Sequence, residues 1–216
     1  MRALTANLEG LRSVLCLGAH ADDIEIGCAG TLLRLLQSNP DLEVHWVVLS
    51  ATADRRSEAE RSAQAILAGA REVNVRVADF EETLFPYVGT QIKSYVAALA
   101  DETAPDLILT HWRQDLHQDH RTVGELTWNT FRDHLILEYE IPKWDGDMGR
   151  PNTYVPLERP LCERKVEHLL EAFPSQAHRD WFSSEIFWAL LRLRGMEARS
   201  PSGYAEGFFC RKMILG

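Results

Sequence analysis

Short apolar runs alternate along this chain with segments whose apolar residues recur at helical spacing. Val14-Leu15-Cys16-Leu17 is a run of strand length, and Cys28, Leu32, Leu35 and Leu36 follow it at the period of a helix. Val44 to Leu49 is a second, nearly continuous apolar run, of the kind covered on both faces in a parallel sheet. Ala59, Ala63, Ile66 and Leu67 then predict a helix, the alternation of Val73, Val75 and Val77 a strand, and Ile92, Tyr95, Val96 and Leu99 another helix. Pro105 closes that helix ahead of a strand over Asp106–Thr110. Val123, Leu126 and Phe131 predict a helix starting close to Asp119, and Leu137, Tyr139 and Ile141 a further strand.

The rhythm breaks at Pro142. From there to Pro160 the chain holds four prolines, two glycines and little periodicity, which predicts a long irregular working loop. Two late helices, around Val166–Phe173 and Ile186–Leu193, precede a last strand expected from Phe208 to Leu215. Strand alternating with helix implies an α/β fold: a Rossmann-like, mostly parallel sheet with helices on both faces. No linker or repeat divides the sequence, so one domain is expected over residues 1–216, with the irregular segment at about 142–160 facing substrate.

Charge and composition narrow the partners. A formal net charge of -9 and the lack of any basic run argue against nucleic acid, whose affinity rests on clustered Lys and Arg. No apolar stretch reaches membrane-spanning length, and residues 1–9 lack the apolar core of a signal peptide. Cys16, Cys28, Cys162 and Cys210 are scattered and form no CxxC pair, as expected of reduced thiols in a cytoplasmic protein. A homo-oligomer is compatible with all of this.

Chemistry concentrates in two places. The first apolar run stops at His20, Asp22 and Asp23; a later one runs into His111-Trp112-Arg113-Gln114-Asp115-Leu116-His117-Gln118-Asp119-His120. Both stretches follow strands of one expected sheet, at the ends where ligands sit, so they can converge although about a hundred residues separate them. A single histidine or an Asp-Asp pair at a strand end is usually a turn or a cap. Together they form a donor set of imidazoles and carboxylate with an open position, the pattern of a catalytic zinc rather than of a cysteine-rich structural one. His120 near a helix N-terminus stays neutral for metal. Asp115 and Asp119 are within reach as acceptors that orient the imidazoles.

These residues also resemble a family. Ala19-His20-Ala21-Asp22-Asp23-Ile24-Glu25-Ile26-Gly27-Cys28-Ala29-Gly30-Thr31-Leu32 is similar to the AHPDD signature of the PIG-L/LmbE-like zinc deacetylases, and Asp115-Leu116-His117-Gln118-Asp119-His120-Arg121 to their second signature. Tyr204-Ala205-Glu206-Gly207-Phe208 resembles their C-terminal segment. Ala21 stands where the family usually has proline, and Arg56 is one residue off its usual spacing to Glu60.

The resemblance implies one Zn2+ per chain, or another divalent metal, and hydrolysis of the N-acetyl group of an N-acetylglucosamine-type small molecule or conjugate. Carried over position by position, it makes His20, Asp23 and His120 the metal ligands, Asp22 the general base, and His117 the residue facing the substrate carbonyl. In protonated form His117 would share the negative charge of the tetrahedral oxygen with the metal, and the departing amine would take its proton from Asp22 or His117. Glu25, Arg56 and Trp144 are further candidates for substrate contact. Two rival readings remain at this stage: a zinc amidohydrolase acting on a non-sugar amide, and a receiver-like signalling domain whose paired acids hold magnesium. A dinucleotide site is disfavoured because the first loop is acidic and lacks GxGxxG.

Overall fold

A computed structural model describes residues 8–214. The signal-peptide reading of residues 1–9 lies largely outside them. Seven strands form one sheet in the order β3-β2-β1-β4-β5-β7-β6, built from β1 (Ser13–Gly18), β2 (Glu43–Val48), β3 (Glu72–Val77), β4 (Leu107–His111), β5 (Leu135–Tyr139), β6 (Thr153–Pro156) and β7 (Ala205–Cys210). β1 to β5 pair in parallel; β7 runs antiparallel to both β5 and β6.

Among the described residues six α-helices cover the two faces: α1 (Asp23–Ser38), α2 (Ala53–Ile66), α3 (Gly89–Glu102), α4 (Gln118–Thr130), α5 (Arg159–Ala172) and α6 (Ser184–Glu197). The period of two in a strand explains the two cores, since successive side chains point to opposite faces. Val14 and Cys16 of β1 pack with Ile24, Leu32, Ala63, Leu169 and Leu191 on one side. Leu15 and Leu17 pack with Ile92, Val96, Leu99 and Val123 on the other. Gly27 lets α1 lie against β5, because a Cβ there would meet the Tyr139 ring at 2.2 Å.

The predicted irregular segment is the main departure. It contains β6, an edge strand whose four residues Thr-Tyr-Val-Pro end in proline, and α5 begins at Arg159. A proline at a sheet edge removes only a donor that would face away from the ladder. The expected last strand, Phe208 to Leu215, instead runs from Ala205 to Cys210, and β4 extends one residue further than expected, taking His111 into the sheet.

β1 lies between β2 and β4, so the loops leaving β1 and β4 part company at this point of the sheet. Such a reversal of strand order opens a crevice at the carboxyl ends of the strands. Both polar stretches of the sequence border it.

Candidate metal centre

The loop after β1 is four residues long and turns directly into α1. The Ala19 carbonyl accepts from the Ser50 amide and the Gly18 carbonyl from Leu49, which ties the loop to the end of β2. Asp23 Oδ2 accepts from the His20 amide at 2.6 Å, so the first helical residue holds the turn that precedes it. Asp22 occupies the N-cap, yet its side chain makes no capping bond. An aspartate there ordinarily satisfies a free helical amide; this one turns instead to Arg55, with Oδ1 at 2.5 Å from the guanidinium, while Oδ2 is buried without a partner.

The loop after β4 ends at His117, the N-cap of α4, whose Nδ1 accepts from the Asp119 amide at 3.3 Å. One turn on, His120 reaches back to the β1 loop. His20 Nδ1 is 3.2 Å from His120 Nε2 and 3.3 Å from Asp23 Oδ2, and His120 Nε2 is 3.4 Å from Asp23 Oδ1. Neighbouring ligand atoms of a tetrahedral zinc, each about 2.0–2.1 Å from the metal, lie about 3.3 Å apart. His20 Nδ1 and His120 Nε2 therefore have the spacing of two such ligands, and Asp23 approaches each of them at that distance with a different oxygen.

The outward nitrogens set the tautomers. His20 Nε2 faces Asp119 Oδ2 at 3.1 Å and His120 Nδ1 faces Asp115 Oδ2 at 3.1 Å, so each of these nitrogens carries the proton. The inward nitrogens, His20 Nδ1 and His120 Nε2, then face each other and the Asp23 carboxylate, a contact that either a metal ion or a second proton on His20 relieves. Burial opposes charge on His20, but Asp23 and Asp119 outweigh it and carry its pKa up to about 10. Burial and the nearby His111 push His120 down to about 3. Burial likewise works against the Asp23 carboxylate, yet His120, His111 and His20 hold its pKa well below the ordinary value.

Two overlapping sets of three donors fall within 4.8 Å of one another, His20 with His117 and His120, and Asp23 with His111 and His120. His111 had no assigned role. Its ring stacks on His120 at 4.0 Å, its Nε2 accepts from the Ala19 amide at 3.0 Å and lies 3.1 Å from Asp23 Oδ2. By the contact with the Ala19 amide, His111 positions the β1 loop. Its sequence signal was its place as the first ionisable residue after the β4 run.

Arg55 was missed, and Arg56 is corrected. Consecutive residues of a helix point about 100° apart, so α2 sends Arg55 to Asp22 while Arg56 donates to the carbonyls of Val77 and Ala78 at the end of β3. Glu25 is also corrected: it is fully buried away from the crevice, accepting from Ser62 Oγ, which in turn is 2.8 Å from His168 Nε2. Burial pushes the Glu25 carboxyl well above its ordinary pKa. Lys143, also unassigned, bridges Asp115 at 3.0 Å and Asp147 at 2.6 Å.

A cavity of about 200 Å³ opens onto this centre, with His20, Asp22, His117 and His120 in its wall and Trp144 and Trp181 among its outer residues. A second cavity of about 20 Å³, enclosed by the buried pairs Lys165–Glu206 and Arg194–Glu140, has room for about one water and no more.

The fold is shared widely. N,N'-diacetylchitobiose deacetylase from Pyrococcus horikoshii superposes with a TM-score of 0.71 at 22% identity, over 93% of this chain and 84% of that one. GalB, the 4-carboxy-2-hydroxymuconate hydratase of Pseudomonas putida KT2440, superposes equally well, with a TM-score of 0.71 at 17% identity over 95% and 98%. One scaffold thus carries different reactions, and likeness at this level shows the fold alone. In sequence, the uncharacterized deacetylase YaiS of Escherichia coli K12 is 30% identical over 156 residues, 65% of this chain and 80% of that protein. Residues 15–131, from β1 through the end of α4, match the profile described as PIG-L, GlcNAc-PI de-N-acetylase. That match takes in both crevice loops and removes the receiver reading, and with it the chain belongs to the PIG-L family.

Proposed function

We propose that this protein is a zinc-dependent N-deacetylase of an N-acetylglucosamine-type amino sugar or its conjugate. The observation that carries the proposal is the mutual approach of His20, Asp23 and His120, at 3.2 to 3.4 Å. Family membership and the deacetylases among its relatives support the reaction class. His20, Asp23 and His120 would hold the ion, which when bound supplies a Lewis acid for the acetamide carbonyl and lowers the pKa of the attacking water.

The chain's own groups do the rest. Asp22 takes the proton of the attacking water on Oδ2, the oxygen left without a partner, while Arg55 fixes Oδ1 and thereby the plane of the carboxylate. Burial raises the Asp22 pKa against the pull of Arg55, which makes it a stronger base than an exposed carboxylate. His117 accepts a backbone amide on Nδ1, so its proton sits on Nε2, where it hydrogen-bonds the carbonyl oxygen as negative charge develops there and stays on the ring. Burial and His20 hold the His117 pKa below its ordinary value, so the neutral ring is the donor. Asp22, now protonated, returns the proton to the leaving nitrogen.

No helix among the described residues is long and apolar enough to cross a membrane. A cytoplasmic enzyme meeting a small amino-sugar substrate, as a single chain or a homo-oligomer, is the proposed setting. The test is acetate release from a panel of N-acetylhexosamines and their glycosides by zinc-loaded protein. Release that a chelator abolishes and zinc restores is expected; a metal-loaded protein that frees acetate from none of them refutes the substrate class.

A further inference from the structure

Arg55, Lys143 and Arg179 are the cationic side chains in the wall of the large cavity. The protein neutralises the first two, Arg55 through Asp22 and Lys143 through Asp115 and Asp147. Arg179 forms no ion pair among the described residues. Its guanidinium lies 5.8 Å from the centre of the Trp144 ring, and its Nε is buried with no hydrogen-bond partner. Glu82 and Asp145 border the same cavity, yet neither comes within ion-pair distance of it.

The place of Arg179 is as informative as its unmatched charge. Trp144 comes from the β5–β6 connection, Arg179 and Trp181 from the connection between α5 and α6, and the two indole rings stand perpendicular at 6.3 Å. Trp144 is 66% exposed, whereas Asp22, Asp23 and His120 at the floor are at most 4% exposed. An acetamide held at the floor leaves the far side of the sugar, and whatever is attached to it, at the level of these residues. A guanidinium is a planar fork of donors that matches a carboxylate or phosphate bidentately. Lying over an indole, within cation–π range, it is held near that face before the ligand arrives.

We propose that Arg179, braced on Trp144, is an oxyanion subsite for the group joined to the amino sugar, so that the substrate is an acidic conjugate carrying a carboxylate or phosphate. The proposal rests on the deacetylase reading for the sugar but not for the anion contact. It is tested by binding of already deacetylated ligands, which cannot turn over: the carboxymethyl β-glycoside of glucosamine, its uncharged carboxamidomethyl analogue, and glucosamine 1-phosphate. Calorimetric titration of the zinc-loaded protein should show at least one acid binding about tenfold or more tightly than the amide, the magnitude of one charge-assisted contact. Whichever of the two acids is preferred identifies the oxyanion.

The preference should fall to near unity in Arg179→Met and be partly kept in Arg179→Lys. Equal binding of acids and amide by the parent protein, no measurable binding of any of them, or an unchanged preference in Arg179→Met overturns the subsite. A preference lost in Arg179→Met, in a protein that releases no acetate from the corresponding N-acetyl compounds, supports the subsite and refutes the deacetylase reading instead.

Discussion

Asp22→Asn separates the proposed base from the proposed ligands. The substitution keeps the shape of the side chain, and the amide oxygen can still accept from Arg55 where Oδ1 now does, at 2.5 Å. That places an NH2 donor where the unpartnered Oδ2 now lies, so the one oxygen free to take a proton is lost outright. Loss of a general base lowers turnover by about 10² to 10⁴, or about 2.7–5.5 kcal/mol of barrier. Stability should move little by comparison. Arg55 loses its nearest counter-charge but keeps Glu82 and Asp23 nearby, and a carboxylate held in the interior against desolvation is also removed, so the two changes oppose each other. The assay pairs kcat with metal content by elemental analysis, on Asp22→Asn and Asp23→Asn purified alike. The first should keep about one zinc per chain and lose turnover; the second should lose the metal. Zinc loss in Asp22→Asn, or a kcat within tenfold of the parent, refutes the division of labour between the two adjacent acids.

Three further outcomes test the surroundings. Asp119 accepts from His20 Nε2 and from the amides of Thr83 and Phe85, so Asp119→Ala should weaken zinc binding about 10–100-fold in a chelator competition; an unchanged affinity would show that His20 is oriented by something else. Lys165→Met leaves Glu206 buried with only the amides of Gly30 and Thr31 as partners, a loss of about 3–5 kcal/mol by urea unfolding, and a loss under 1 kcal/mol would count against a firmly paired interior. The buried Glu25 carboxyl has a folded pKa well above 4.5, so the folded chain binds its proton more tightly than the unfolded one, and stability falls as pH rises past about 4.5 toward the folded value. Glu25→Gln should then gain stability on the parent between pH 5 and pH 8; a gap that narrows over that range reverses the sign and the reasoning.

Much of the architecture was legible because sheet and helix announce themselves by period. Val44–Leu49 suited a strand covered on both faces, and Ile92, Val96 and Leu99 a helix with one apolar side; both elements lie where expected. β6 was not legible, since four residues ending in proline at a sheet edge carry no periodic signal. Arg56 was named and Arg55 missed because a spacing to Glu60 says nothing about which residue in the first turn of α2 faces the crevice. Glu25 read as a site residue from its nearness in sequence to Asp23, yet two steps along a helix carry a side chain about 200° around its axis, toward Ser62 and the interior.

What the sequence by itself determined was local: strands ending in polar loops, the residue types in those loops, and the alternation that makes the sheet parallel. Only the tertiary structure decided which atoms of His20, Asp23 and His120 meet, that His111 and Arg55 stand behind them, and that Trp144, Trp181 and Arg179 gather at the mouth of one cavity. The physical reason is range. Periodicity reports the few residues on either side of a position, whereas the distance between residues a hundred positions apart is set by strand order and helix packing, which depend on the whole chain at once.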